Sequence, residues 1–177
     1  MPEAYRAVFA LQHVDVWNRD VEAAETLAAS LRNTGLQSNV VGSDLDAAVA
    51  RADIVSTATL STEPIVKGAW MAAGSHLDLI GSFTPQMREA DDDAFRAATL
   101  FVDTEEALEK SGDLLGPMSR RAFDRGDVAS TLSGLCTGSH SGRLSDTERT
   151  VFKSVGTALE DLAAAIQAYE HCVKCMA

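Results

Sequence analysis

From residue 13 to residue 110 the sequence alternates short apolar runs with short helical patterns, and no other feature restricts the fold as strongly. HVDVW (13–17), SNVV (38–41), DIVSTA (53–58), HLDLI (76–80) and TLFV (99–102) read as strands. Between them, residues 20–33, 44–51, 67–73, 91–97 and 104–110 carry helical spacing, with a stop near Gly35 and a turn at Pro64. Links this short leave room only for crossover units, so the expected sheet is mainly parallel. The expected class is α/β: a doubly wound parallel sheet, favoured over a barrel because only about five strands are visible.

The two ends break the pattern. Residues 3–11 read as the end of an amphipathic helix running straight into strand 13–17, so the first strand and glycine turn of a doubly wound fold are not seen. No G-x-G-x-x-G occurs anywhere. The three glycines of GLCTGSHSG (134–142) are spaced by four and follow no strand. Residues 111–144 read as loop with one short helix. A long helix is expected over roughly 146–170, started by a capping box from Ser145 to Glu148 and striped by Val151, Phe152, Val155, Leu159, Leu162, Ile166 and Tyr169. Residues 1–144 would then form an incomplete doubly wound domain, and 145–177 a helix and tail that need a partner surface.

Composition removes several classes of function. With 46 % apolar and 23 % charged residues, a chain of 177 residues can bury an ordinary core as one domain. A net charge of −11 disfavours binding to nucleic acid or an anionic membrane surface. No apolar run is long enough for a transmembrane helix, no signal-peptide pattern opens the chain, and three cysteines do not make a disulfide framework. A cytoplasmic protein is expected. Cys172 and Cys175 form a C-x-x-C without two further ligands at suitable spacing, so no metal site is assigned.

Two stretches carry possible ligand chemistry. Trp17-Asn18-Arg19-Asp20 stands where a strand hands over to a helix. There an acid would accept from a free ribose 2′-hydroxyl, whereas Asn18 and Arg19 suit a 2′-phosphate and favour NADP(H) over NAD(H). The alternative is that Asp20 caps the helix and Arg19 is a solvated charge. Thr57 and Thr59 end the strand DIVSTAT, where small hydroxyl residues admit a flat cofactor or simply make a strand-to-loop transition. No G-x-S-x-G or other nucleophile–base pattern is present.

ADIVSTATLSTEPIV (52–66), HLDLIGSFTPQMREAD (76–91), FVDTEEALEKSGDL (101–114) and ERTVFKSVGTALEDLAAA (148–165) together resemble the ornithine cyclodeaminase/mu-crystallin family, in the family's order and over nearly the whole chain. The resemblance implies that residues 1–144 are a partial NAD(P)-binding domain, an incomplete Rossmann-like doubly wound parallel sheet from a two-domain protein, and that the C-terminal helix and tail, 145–177, would pack on its N-terminal domain. It implies cofactor contacts at Asn18, Arg19, Thr57, Thr59, Ile80, Gly81, Ser82 and Ser154, with Phe83 and Val155 facing the substrate. It also implies a small cyclic imino acid as substrate, a homo-oligomeric assembly and, through the Asn-Arg pair, NADP(H).

Two departures shape the expectation. Ornithine cyclodeaminases place a catalytic Asp where this sequence has Phe83, and a phenyl ring can neither take a proton nor hold an ammonium group. The motif instead resembles the ketimine-reductase branch, which reduces delta-1-pyrroline-2-carboxylate or its six-membered homologue. The family's N-terminal half, with the substrate-binding Arg and Lys and the glycine-rich turn, has no counterpart here. Weak or absent activity of the chain alone is therefore expected. Ornithine cyclodeamination with NAD, and a non-catalytic role through association alone, are the alternatives.

Overall fold

The computed structural model describes residues 2–176, with side chains through residue 173. A short helix α1 (Pro2–Val8) precedes β1 (His13–Val16), α2 (Val21–Asn33), β2 (Gln37–Val40), α3 (Leu45–Arg51), β3 (Ile54–Thr57) and β4 (His76–Leu79). Then follow α4 (Asp93–Arg96), β5 (Ala98–Val102), α5 (Ala107–Lys110), α6 (Gly112–Ser119), β6 (Val128–Thr131), α7 (Leu132–Cys136), β7 (Arg149–Lys153) and α8 (Ala158–Met176). The strands and helices expected between 13 and 110 are present within a few residues, except that 67–73 forms only one tight turn at Gly68–Trp70.

All the strand pairs are parallel. β1 and β2 form one pair, and the other five make a sheet in the order β3-β4-β7-β5-β6. The pair has its own small core, in which Ala24, Ala28 and Leu31 of α2 pack on Val16 and Leu36. Asp20 starts α2 by accepting from the N–H groups of Glu22 (2.9 Å) and Ala23 (3.2 Å), and Gly35 takes the left-handed conformation just past its end. Beneath the larger sheet lie Leu77, Leu79, Leu100, Val102 and Val151, all essentially inaccessible to solvent. Each such side chain contributes roughly 1.5–3 kcal/mol of burial free energy.

The last strand in sequence lies in the middle of the larger sheet. β7 pairs with β4 on one side and β5 on the other, which corrects the expectation of a helix from 146. Thr150-Val151-Phe152 is a β-branched and aromatic run, and Val151 and Lys153 are fully buried on the face they share. Val151, Phe152 and Val155 match a helical stripe by spacing, but two-sided burial between neighbouring strands decides their state. Glu148 does reach back to the N–H groups of Leu144 and Ser145, yet it closes a turn before a strand. The working capping box lies further on, where Thr157 Oγ1 accepts from Glu160 N–H (3.2 Å) and Glu160 accepts from Thr157 N–H (3.0 Å).

The segment 111–144, expected as loop with one short helix, contains α6, β6 and α7. Its elements are short, and β6 is half-buried throughout, so it lacks the alternation that marks a strand. The sheet-forming part of the chain extends past residue 144 to residue 153. On α8, Leu159, Leu162, Ile166 and Tyr169 do form a stripe, and it faces solvent. No described helix is long and apolar enough to cross a membrane.

Candidate functional site

Parallel strands deliver their carboxyl ends to one edge of the sheet, so the loops after β3, β4 and β7 emerge side by side. These are residues 57–59, 80–83 and 154–156, and they contain eight of the expected site residues. Ile80 N–H donates to Thr57 C=O (2.9 Å) and Ser154 N–H to Leu79 C=O (3.1 Å), joining the three loops at their roots.

Two buried carboxylates fix what lies beyond the roots. Glu89, fully inaccessible to solvent, accepts Thr59 N–H (2.6 Å) on one oxygen, and Gly81 N–H (2.8 Å) and the Thr57 hydroxyl (2.9 Å) on the other. Asp103, at the end of β5, accepts Val155 N–H (2.7 Å), Gly156 N–H (2.8 Å) and the Ser154 hydroxyl (3.0 Å) on Oδ2. Bonds to an ionised carboxylate are the strong kind, and here they replace the water that loop amides would otherwise bind. Gly81 has no room for a side chain: a Cβ there would overlap the Thr59 backbone and a Glu89 oxygen.

Below this layer sits a buried charge cluster. Asp113 Oδ1 accepts the N–H groups of Glu89 (2.7 Å) and Ala90 (3.1 Å). Its Oδ2 lacks a hydrogen-bond partner and faces Lys153 Nζ at 4.0 Å, while Lys153 donates to Leu79 C=O (2.9 Å). Burial pushes the Lys153 ammonium below its ordinary pKa, partly opposed by Asp113 and Glu89, and burial raises the Asp113 carboxyl.

The expected site residues divide by where their polar atoms point. Thr59, Ile80, Ser154 and Val155 are partly exposed, and Phe83 stands 48 % exposed at the rim. The Thr57 hydroxyl is committed to Glu89. Ser82 is fully buried and bonds Met87 C=O (2.7 Å), the Ser111 hydroxyl (3.0 Å) and Asp113 N–H (3.2 Å), so both side chains support the site from within. Asn18 and Arg19 are exposed at the carboxyl end of β1, in the separate strand pair. Asn18 accepts Asp20 N–H (3.0 Å), and Asp20 caps α2 as its alternative reading required. Among the described residues no His, Cys, Asp or Glu group fits a metal ion; the side chain of Cys175 lies outside them.

Glu89, Asp103, Asp113 and Lys153 are absent from the expected site. Asp103, Asp113 and Lys153 left a signal, an ionisable residue beside or inside an apolar run, as in LFVD, DLL and VFKSV, whereas Glu89 stands in the charged stretch READ and left none. A charge in such a place is buried with a partner or it would not be tolerated.

Residues 1–175 match the sequence profile of the ornithine cyclodeaminase/mu-crystallin family. The chain belongs to this family. Its relatives include an uncharacterised protein of Schizosaccharomyces pombe, 42 % identical over 94 % of this chain and 53 % of that one. A delta-1-pyrroline-2-carboxylate reductase of Paracoccus denitrificans is 41 % identical over 90 % of this chain and 51 % of the reductase. Among solved structures, the delta-1-pyrroline-2-carboxylate reductase of Thermococcus litoralis in complex with NADH and L-proline superimposes with a TM-score of 0.92 at 32 % identity, covering 98 % of this chain and 54 % of that one. The chain spans about half the length of the curated relatives it matches.

Proposed function

We propose that this chain is the dinucleotide-binding part of an NAD(P)H-dependent reductase of cyclic imino acids, with delta-1-pyrroline-2-carboxylate or its six-membered homologue as substrate and L-proline or L-pipecolate as product. The observation that carries the proposal is the common ledge formed by loops 57–59, 80–83 and 154–156, with Phe83 at its rim. Similarity to a reductase solved with NADH and L-proline supports the same assignment.

Backbone and small side chains dominate the ledge, which suits a flat ring lying close to strand ends. Thr59, Ile80, Gly81, Ser154 and Val155 would hold the nicotinamide end, with Thr57 and Ser82 bracing them from below. Asn18 and Arg19 would meet the ribose of the other end. A nicotinamide dinucleotide supplies the hydride that reduces a C=N carbon, while the nitrogen takes a proton from solvent or a group outside this chain. The guanidinium of Arg19, with the neighbouring Asp20 committed to capping α2, supports NADP(H); the related structure with NADH makes NAD(H) the comparison to run.

Phe83 separates imine reduction from deamination. Its side chain offers an apolar wall to a ring substrate and no proton acceptor for a substrate amine. The exposed stripe of α8 supports an assembly role, packing on the half of the protein that longer relatives carry, or on a second copy. The reaction is tested by incubating the chain with delta-1-pyrroline-2-carboxylate and NADPH or NADH, alone and with the part of a longer relative that this chain does not match. L-proline formation supports the reading. Ammonia release from L-ornithine with NAD, without imine reduction, would replace it by the deaminase assignment.

A further inference from the structure

Glu89 touches three residues of the ledge from below and is used by nothing else on the surface. Its two oxygens take three donors of these loops: Thr59 N–H, Gly81 N–H and the Thr57 hydroxyl. Its own position is fixed from a second layer, because Asp113 accepts Glu89 N–H at 2.7 Å and Lys153 stands behind Asp113. Lys153 in turn bonds Leu79 C=O, two residues before Gly81, and immediately precedes Ser154. One continuous chain of buried polar contacts therefore links all three loops.

We propose that Glu89 is the positioning residue of the dinucleotide site, setting the separation of the Thr59 and Gly81 backbones on which the nicotinamide end lies. The proposal rests on the dinucleotide reading above. A neutral amide cannot substitute for the carboxylate. Whichever way a Gln at this position turns, its NH2 group faces a backbone N–H of Thr59 or Gly81, and that loop must move.

The experiment uses the whole chain in two arms. Amide hydrogen exchange on the wild-type protein reads the clamp itself. Thr59 and Gly81 N–H, although in loops, should exchange as slowly as strand amides of β4; exchange at the rate of open loops would overturn the proposal. Fluorescence titration with NADH reads its role in binding. Glu89→Gln should raise the dissociation constant by about tenfold or more, the loss expected for bonds to an ionised group. The core control Phe123→Leu, equally folded at the titration temperature, should leave it unchanged. Equal affinity of E89Q and wild type, or an equal loss in F123L, would overturn the positioning role while leaving the dinucleotide reading intact. Absence of NADH binding by the wild type would instead remove the dinucleotide reading and the positioning role with it, and exchange would still report whether the clamp exists.

Discussion

Asp103 holds Val155: its carboxylate oxygen accepts the Val155 N–H at 2.7 Å, across from the end of β5 to the loop that leaves β7. The same oxygen takes Gly156 N–H and the Ser154 hydroxyl, so one buried acid sets the whole turn between the central strand and α8. Asp103→Asn keeps the shape but turns an amide NH2 toward a backbone N–H, either that of Thr104 or those of the 154–156 loop. Loss of about 1.5–3 kcal/mol is expected in urea unfolding, with weaker NADH binding. An unchanged urea midpoint would contradict the role.

Gly81→Ala tests how tightly loops 57–59 and 80–83 are stacked. The added methyl overlaps the Thr59 backbone, which is itself held by Glu89, so neither loop can give way cheaply. Destabilisation of about 1–3 kcal/mol or more is expected from overpacking of this kind. Gly35→Ala is a poor comparison despite its open surroundings, because the left-handed backbone there strains any side chain.

Lys153 and Asp113 are expected to depend on each other. Lys153→Met leaves the Asp113 carboxyl buried without its cation and should cost about 3–5 kcal/mol. In an Asp113→Asn background the same change should cost at least about 1 kcal/mol less, since the uncompensated charge is gone. Strictly additive unfolding free energies would show that the 4.0 Å pair is not coupled.

These buried acids also show how far the sequence could be read. The strand–helix alternation from 13 to 102 was legible because each strand there is short, apolar and bounded by a helix with its own period. β7 was not, because Val151, Phe152 and Val155 satisfy helical spacing as well as strand spacing, and only pairing between β4 and β5 decides between them. The positions of Thr57 and Gly81 at strand ends followed from motif and topology, whereas Ser154 and Val155 were expected within a helix and instead follow the central strand β7. What escaped notice was the support beneath them: the partners of Glu89 lie 8 to 32 residues away in sequence, and no local pattern ties them together.

His76 gives a prediction in pH. Its ring is held below the ordinary pKa of 6.5 chiefly by burial, and also by the nearby Arg143, against the opposing pull of Asp78. The unfolded chain therefore takes up this proton first. Stability from His76 is complete above pH 6.5 and is lost as pH falls through the lower folded value. Urea midpoints measured down to about pH 5 should fall less steeply in His76→Gln than in wild type. Parallel curves would mean that His76 does not titrate in this range.

Titration of the purified chain with NADH and NADPH, followed by cofactor fluorescence, tests the central claim most directly. The account predicts saturable binding at one equivalent per chain, tighter for NADPH through Arg19, and weakened in Gly81→Ala and Asp103→Asn. No saturable binding of either dinucleotide up to about 1 mM, at a temperature where the chain is folded, would contradict it.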